Sequence, residues 1–344
     1  MQRLAFRPLA LAIAPAALVA GTLSATAPAT AGAPQASTQT SAPLPDPSCA
    51  PALIDPAAAE VLAMAQDRNR RMTVPVRIDG SGPYDFMIDT GSQATAITRE
   101  INTQLGLPSA GKAMLVGMAS RRAVDLVEVG RLDIGSHTIA GFFAPVLERA
   151  HVGADGIVGL DLLQDFRVMI DFRDQTIALE DTRGKRDASR RGFEIVVRAR
   201  SKLGQLLITD GLVEGVRATV IIDTGAQASL ANNALRERIR TRRAADITTT
   251  DVNGVDLIGQ MSLMRTLSIE GLSLTNVPLT FADTPAFEAL GLKDIPALSL
   301  GMQHLALFDR VAIDFANRRV LFDVPPDVAR AMRESRTRGF RAPL

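Results

Sequence analysis

Two stretches of the sequence set an acid, a hydroxyl and a glycine side by side, Asp89-Thr90-Gly91 and Asp223-Thr224-Gly225. They stand 134 residues apart. At average residue usage such a tripeptide is expected about 0.06 times in a chain of this length, so two by accident are rare. Two apolar residues precede each acid, Met87-Ile88 and Ile221-Ile222, and a small residue follows each glycine, Ser92 and Ala226. That shared context argues further against accident. Two carboxylates brought to about 3 Å cannot both ionise, so their pKa values split. The ionised member can take a proton from a water held between them, while the protonated member polarises a carbonyl. Neither a metal nor a covalent nucleophile is required. The chemistry needs one acid from each copy, which gives the repetition its reason, and Gly91 and Gly225 let the backbone turn tightly beside the acids.

The elements around the motifs read as strands. Val74, Val76 and Ile78 alternate with polar neighbours, Asp79-Gly80-Ser81-Gly82-Pro83 turns the chain, and Tyr84, Phe86 and Ile88 alternate again into the first motif. The pattern recurs through Ile208, Asp210-Gly211, Val216 and Thr219 to Ile222. Beyond the motifs, Ser92-Gln93-Ala94-Thr95 matches Ala226-Gln227-Ala228-Ser229, and Val168-Met169-Ile170-Asp171-Phe172 matches Val311-Ala312-Ile313-Asp314-Phe315. The chain is an internal duplication with about 110 to 130 residues per copy, a size that suits a β-rich lobe and is too long for a solenoid repeat. With aromatics at 4% and no Trp, the core draws on Val, Ile, Leu and Ala, a supply suited to strands.

These motifs resemble the aspartic peptidases of the retropepsin-like type, specifically the bacterial exported forms with two lobes on one chain. The resemblance covers residues 68 to 324. In the first copy it extends to the hydrophobic-hydrophobic-Gly element Ile157-Val158-Gly159, which in the family passes beside the catalytic loop. The second copy departs there, with Ser299-Leu300-Gly301 and with Gln303 where the first has Asp161. The resemblance implies an all-β, bilobal acid-peptidase fold with the active cleft between the lobes. It implies an aspartic endopeptidase in which Asp89 and Asp223 activate water, supported by Thr90, Gly91, Ser92, Thr224, Gly225 and Ala226, the threonines cross-bracing the two loops. An extended polypeptide is the implied substrate, and a monomer with its lobes paired within the chain is the implied state. The alternative is a catalytically inactive peptide-binding or inhibitor-like protein on the same fold. Val116, Gly117, Met118 and Ala119 resemble the tip of the family's substrate-covering flap. Val252, Asn253 and Gly254 hold the same place in the second copy, where Asn253-Gly254 reads as a two-residue hairpin turn.

One asymmetry concerns the proton. Ser92 follows the first motif and Ala226 the second. A serine hydroxyl there, donating to an ionised carboxylate, would favour the charged form. Asp89 is therefore expected to be the more readily ionised acid and Asp223 the proton carrier. Asp161, Asp171 and Asp314 read as structural.

The ends carry the remaining information. Arg3 and Arg7, an apolar run from Pro8 to Leu23 and the Ala29-Thr30-Ala31 site make residues 1–31 a signal peptide, so the protein is expected to be exported, periplasmic or secreted. The alternative is an uncleaved anchor, against which stand Pro15 and a run shorter than the ~20 residues of a spanning helix; no stable membrane insertion is expected once the signal is cut. Residues 32–67 form a Pro/Ala-rich tether carrying Cys49, with a possible short helix that Asp55 caps and Pro56 begins. Lobes follow at 68–180 and 194–324, separated by a basic linker at 181–193 and followed by a basic tail at 325–344. Lys and Arg number 38 against 37 Asp and Glu, which gives no electrostatic reason to expect nucleic acid. His137, His151 and His304 are scattered and the one Cys lies in the tether, so no metal, cofactor or Cys–His nucleophile is expected.

Overall fold

The computed structural model describes residues 11–12, 59–66, 72–182, 195–240, 243–270 and 272–330. The expected leader (apart from Leu11–Ala12), the Asp55-Pro56 cap, the linker at 183–193 and the tail beyond 330 lie outside these residues.

Alternation builds the approach to each motif. Strands Met72–Ile78 and Ser81–Ile88 bury Val74, Val76, Ile78, Tyr84, Phe86 and Ile88, while Pro75, Arg77 and Asp85 face solvent. Their turn is tighter than the sequence suggests. Asp79 and Gly80 both take positive φ, 48° and 82°, and the strand resumes at Ser81. In the second copy strands Gln205–Val213 and Val216–Ile222 are joined in the same way by Glu214 and Gly215, at φ 48° and 80°. Asp210-Gly211 therefore lies inside a strand, at a register shift, and not at the turn.

The two lobes repeat one topology. In the first, Gly156–Val158 runs parallel to Ser81–Ile88 and antiparallel to Ala96–Thr98, and the long hairpin Arg121–Ile134 with His137–Leu147 completes the sheet. Arg121–Ile134 also pairs with Met72–Ile78, which curls the sheet on itself. In the second lobe Ala297–Leu300 lies between Val216–Ile222 and Leu230–Ala231, and Asp256–Ile269 pairs with both Leu272–Phe281 and Gln205–Val213. Leu11–Ala12 lie at the outer edge of the first sheet, beside Leu115–Val116. The architecture is thus the expected all-β pair of lobes.

A third sheet fastens the lobes together. The last hairpin of each copy, Phe166–Asp171 with Thr176–Asp181 and Arg310–Asp314 with Arg319–Asp323, joins its counterpart through the pairing of Phe166–Asp171 with Arg310–Asp314. Ala59–Ala63 forms one edge against Thr176–Asp181, and Ile195–Arg198 forms the other. The short helix expected in the tether gives way here to strand. Leu62 turns inward opposite Ile177 while Val61 faces out, so an open sheet edge wins over the helix propensity of alanine. One apolar core runs through all three sheets, with Phe86, Phe281 and Phe322 among its largest fully buried side chains.

The matched aspartates end the central strands of this third sheet and are structural. Asp171 accepts the backbone N–H of Arg173 and Asp174. Asp314, fully buried, binds Arg167 of the first copy at 2.7 Å and Arg319 at 3.1 Å, and Arg167 also reaches Glu180. Burial disfavours the Asp314 carboxylate, yet the hydrogen bonds of Arg167 and Asn317 hold its pKa below the usual value. Taking away one member of a buried ionic group strands the others' charge, whereas an exposed pair such as Arg217–Asp210 contributes little. Arg167→Leu should therefore lower unfolding free energy in urea by about 3 kcal/mol, and Arg217→Leu by less than about 1 kcal/mol. Equal losses would mean that the buried group does not fasten the lobes.

Candidate active site

Both motifs sit at the seam, each on the loop that follows a central strand. The N–H of Asp89 donates to Val158 O at 3.0 Å, and that of Asp223 to Leu300 O at 3.1 Å. Glycine ends both supporting strands for a steric reason. A Cβ on Gly159 would lie 2.4 Å from the Ala94 carbonyl carbon, and one on Gly301 would lie 2.5 Å from Ala228 O. The hydrophobic-hydrophobic-Gly element thus passes against the motif loop in both lobes, with Ser299 paired to Ile221 where Ile157 is paired to Met87.

The two loops brace each other through their threonines. Thr90 N–H donates to Thr224 Oγ1 at 3.1 Å, and Thr224 N–H donates to Thr90 Oγ1 at 3.2 Å. Each hydroxyl then donates across the seam, Thr90 to Ile222 O at 2.9 Å and Thr224 to Ile88 O at 2.7 Å. Every donor in this crossing has an acceptor in the other lobe, and both residues are buried. Gln205, which the sequence does not single out, adds a further crossing by donating to Gly91 O at 2.6 Å.

The carboxylates meet on Gly225. Its N–H donates to Asp223 Oδ1 at 3.1 Å, and a Cβ built on it would lie 2.2 Å from Asp89 Cγ. Gly225 is required for this close approach and not for a left-handed turn. Asp89 and Asp223 are 0% and 1% exposed. Their inner partners match: Asp89 Oδ1 accepts from the N–H of Gly91 and Ser92, and Asp223 Oδ1 from Gly225 and Ala226. The hydroxyls differ, in the sense opposite to that expected. Ser92 Oγ turns away and donates to Ala94 O at 2.8 Å. Ser299 Oγ instead donates to Asp223 Oδ2 at 2.8 Å.

The two hairpin tips lie over the seam and are tied to each other. Asp251 Oδ2 accepts from Ala119 N–H and from the Ser120 hydroxyl, while Asn253 Nδ2 donates to Ser120 Oγ. The second tip is wider than the two-residue turn expected. Asp251 Oδ1 collects the N–H groups of Asn253 and Val255, and only Gly254 takes positive φ. Its carboxylate thus builds the turn on one side and the latch on the other. The tips also cross over. Met118 packs among Ile221, Phe287 and Leu290 of the second lobe, and Val252 among Met87, Leu147 and Ile157 of the first. Val116, Gly117 and Ala119 flank Met118, and Gly117 has no room for a Cβ against Asp251.

The loops are propped differently in the two lobes. Asp161 accepts from the N–H and hydroxyl of Thr95, whose Oγ1 accepts from Gly159 N–H. It is structural, as read, and burial raises its pKa. In the second lobe Ser229 Oγ accepts from Gly301 N–H and shares a hydrogen bond with His304 Nδ1 at 2.6 Å, so His304 does the work of the missing acid. Burial pushes the His304 pKa down to about 4. The unfolded chain, with an ordinary pKa of 6.5, therefore takes up the proton first as pH falls. The His304 contribution to thermal stability should drop as pH is lowered from about 6.5 to 4 and level off below. His304→Leu, the residue the first lobe has at that point, should flatten this part of the curve. An unchanged slope in differential scanning calorimetry would show that His304 does not titrate with folding.

Among the described residues no group of three or more His, Cys, Asp or Glu side chains is gathered to hold a metal ion, and no helix is long and apolar enough to cross a membrane. A comparison with curated proteins found no match. The family model described as aspartyl protease matches residues 74–162 and again 209–303, one match in each lobe and together over half the chain. Each match takes in one Asp-Thr-Gly loop, one hairpin tip and one glycine-ended supporting strand. With two acids buried at a threonine-braced seam and the same topology repeated on either side, the chain belongs to the retropepsin-like aspartyl protease family, carrying its lobe twice in tandem.

Proposed function

We propose that the protein is an endopeptidase that hydrolyses peptide bonds in extended polypeptides by water activated between Asp89 and Asp223. The observation that carries this reading is the meeting of both buried carboxylates on Gly225. Carboxylates so placed share a proton, because ionising both in a site with little access to water is too costly. The ionised acid then takes a proton from water as the water oxygen bonds to the scissile carbonyl carbon, and the protonated acid donates to the carbonyl oxygen. The backbone N–H groups on each Oδ1 hold the carboxylates in place, and Thr90 and Thr224 keep the loops in register. The lobes pair within one chain, so the active form is a monomer, exported through the leader at residues 1–31 to the periplasm or beyond.

The hairpin tips act as the cover that excludes water. Met118 shares a small apolar recess with Asp223, Ile221, Phe287 and Leu290. A substrate residue next to the scissile bond takes that recess only when Met118 leaves it. This supports a preference for a Met- or Leu-sized side chain there.

Asp89→Asn and Asp223→Asn should each remove nearly all peptide hydrolysis while leaving the thermal transition in place, because the two acids work as a unit. More than a tenth of wild-type turnover in either variant would count against the mechanism. Met118→Ala should lower KM several-fold with little change in kcat, since the recess no longer has to be vacated. A raised KM would mean that Met118 serves the bound substrate and does not compete with it.

A further inference from the structure

We infer that the pocket beside the second hairpin tip is a subsite for an acidic side chain of the substrate, with Arg122 as its specificity-determining residue. The inference rests on the reading of the cleft as a peptide-binding site. The pocket measures about 210 Å³ and lies between the first lobe and the second lobe's tip, with Val146, Leu147 and Glu148 on one side and Val252 and Asn253 on the other. Its counterpart under the first tip is the recess that Met118 fills, about 20 Å³ and walled by Ile221, Phe287 and Leu290. Each pocket thus takes one wall from the stretch that follows its lobe's long hairpin and another from the opposite tip. The chemistry differs, because one is apolar and the other charged. Asp223 lines the recess, whereas neither acid lines the larger pocket, so the charged pocket receives a side chain farther from the scissile bond.

Arg99, Lys112 and Arg122 line the charged pocket against Asp125 and Glu148. Arg99 pairs with Glu148 at 2.8 Å and Lys112 with Asp125 at 3.2 Å, which leaves Arg122. Among the described residues Arg122 has no carboxylate partner, and its hydrogen bond goes to Asn253 O at 3.2 Å. A guanidinium carries its N–H donors in a planar fork, so it can still grip an incoming carboxylate with two of them at once. Its neighbour makes the contrast, since Arg121 is already paired with Glu288 at 2.8 Å. His151 adds a second polar group to the pocket. Its Nδ1 is closed off from solvent without a hydrogen-bond partner, and the tip lies on its ring, where a Cβ on Gly254 would be 2.4 Å from Cε1. Lifting the tip for a substrate uncovers this nitrogen and takes Asn253 O away from Arg122. The pocket therefore gains unpaired groups as a peptide enters. A carboxylate satisfies the guanidinium with charge-assisted hydrogen bonds, and a neutral amide does so less well.

The test uses peptides with both ends blocked, so that a side chain alone can supply the carboxylate. A single Glu or Gln is moved through the positions on either side of a common cut site. The wild-type protein should favour Glu over Gln about three- to tenfold in kcat/KM at one position, and high salt should shrink that ratio. Arg122→Gln should abolish the preference, Arg122→Glu should turn it toward Lys, and Arg121→Gln should keep it. Fluorescence anisotropy with the Asp89→Asn variant repeats the comparison without turnover. Glu-dependent binding that Arg122→Gln abolishes, in a protein that cuts no peptide, would sustain the subsite and remove the peptidase reading. Glu and Gln peptides bound alike and cut alike at every position would overturn the subsite and leave the peptidase reading standing. So would an Arg122 that only holds the tip, because its loss would alter both peptides to the same extent.

Discussion

The threonine crossing at the seam is the contact on which the site depends. Thr90 and Thr224 each spend an N–H and a hydroxyl on the opposite lobe, so neither loop satisfies its buried donors alone. A buried donor without an acceptor costs about 1–3 kcal/mol, so sliding one lobe against the other is opposed by several such losses at once. The crossing thereby holds two carboxylates at a separation that neither lobe could set. The shared sheet below it, fastened by Arg167 and Asp314, gives the crossing a base that resists rotation.

Close packing around the crossing excludes side chains where the loops touch. Gly159, Gly301 and Gly225 lie against backbone or carboxylate with no space for a Cβ. The supporting strands can then run directly beneath the motif loops and accept the N–H of each aspartate. The same closeness leaves few positions from which a third donor can reach the acids. Ser299 occupies one beside Asp223, at the place where the first lobe has Ile157.

Much of this was legible in the residue order because duplication repeats local rules. The period-two burial of Val74 to Ile78 and Tyr84 to Ile88 gave the strands, and two Asp-Thr-Gly loops gave the seam and its braces. What escaped depends on side-chain direction or on distant partners. Sequence places Ser92 next to the first motif but cannot say that its hydroxyl turns to Ala94, nor that Ser299, 76 residues beyond Asp223, donates to Asp223. The strand at 59–63 depends on an open edge offered by residues 176–181. The wide turn at Asp251 depends on one carboxylate serving both its own loop and the opposite tip. In each case an unsatisfied group found a partner that chain order does not announce. The match of Ser229 with His304 follows the same rule, because a prop lost at Gln303 was recovered one residue later from a different side chain.

The reading proposed for the lobes and their seam is that a polypeptide is cut between them. The most direct measurement is incubation of the purified protein with a mixed library of unstructured peptides across acid to neutral pH, with products read by mass spectrometry. The account predicts discrete internal cuts with apolar residues beside the scissile bond, insensitive to chelators and to reagents that block serine or cysteine nucleophiles. A library that binds in the cleft and is recovered intact at every pH would contradict it.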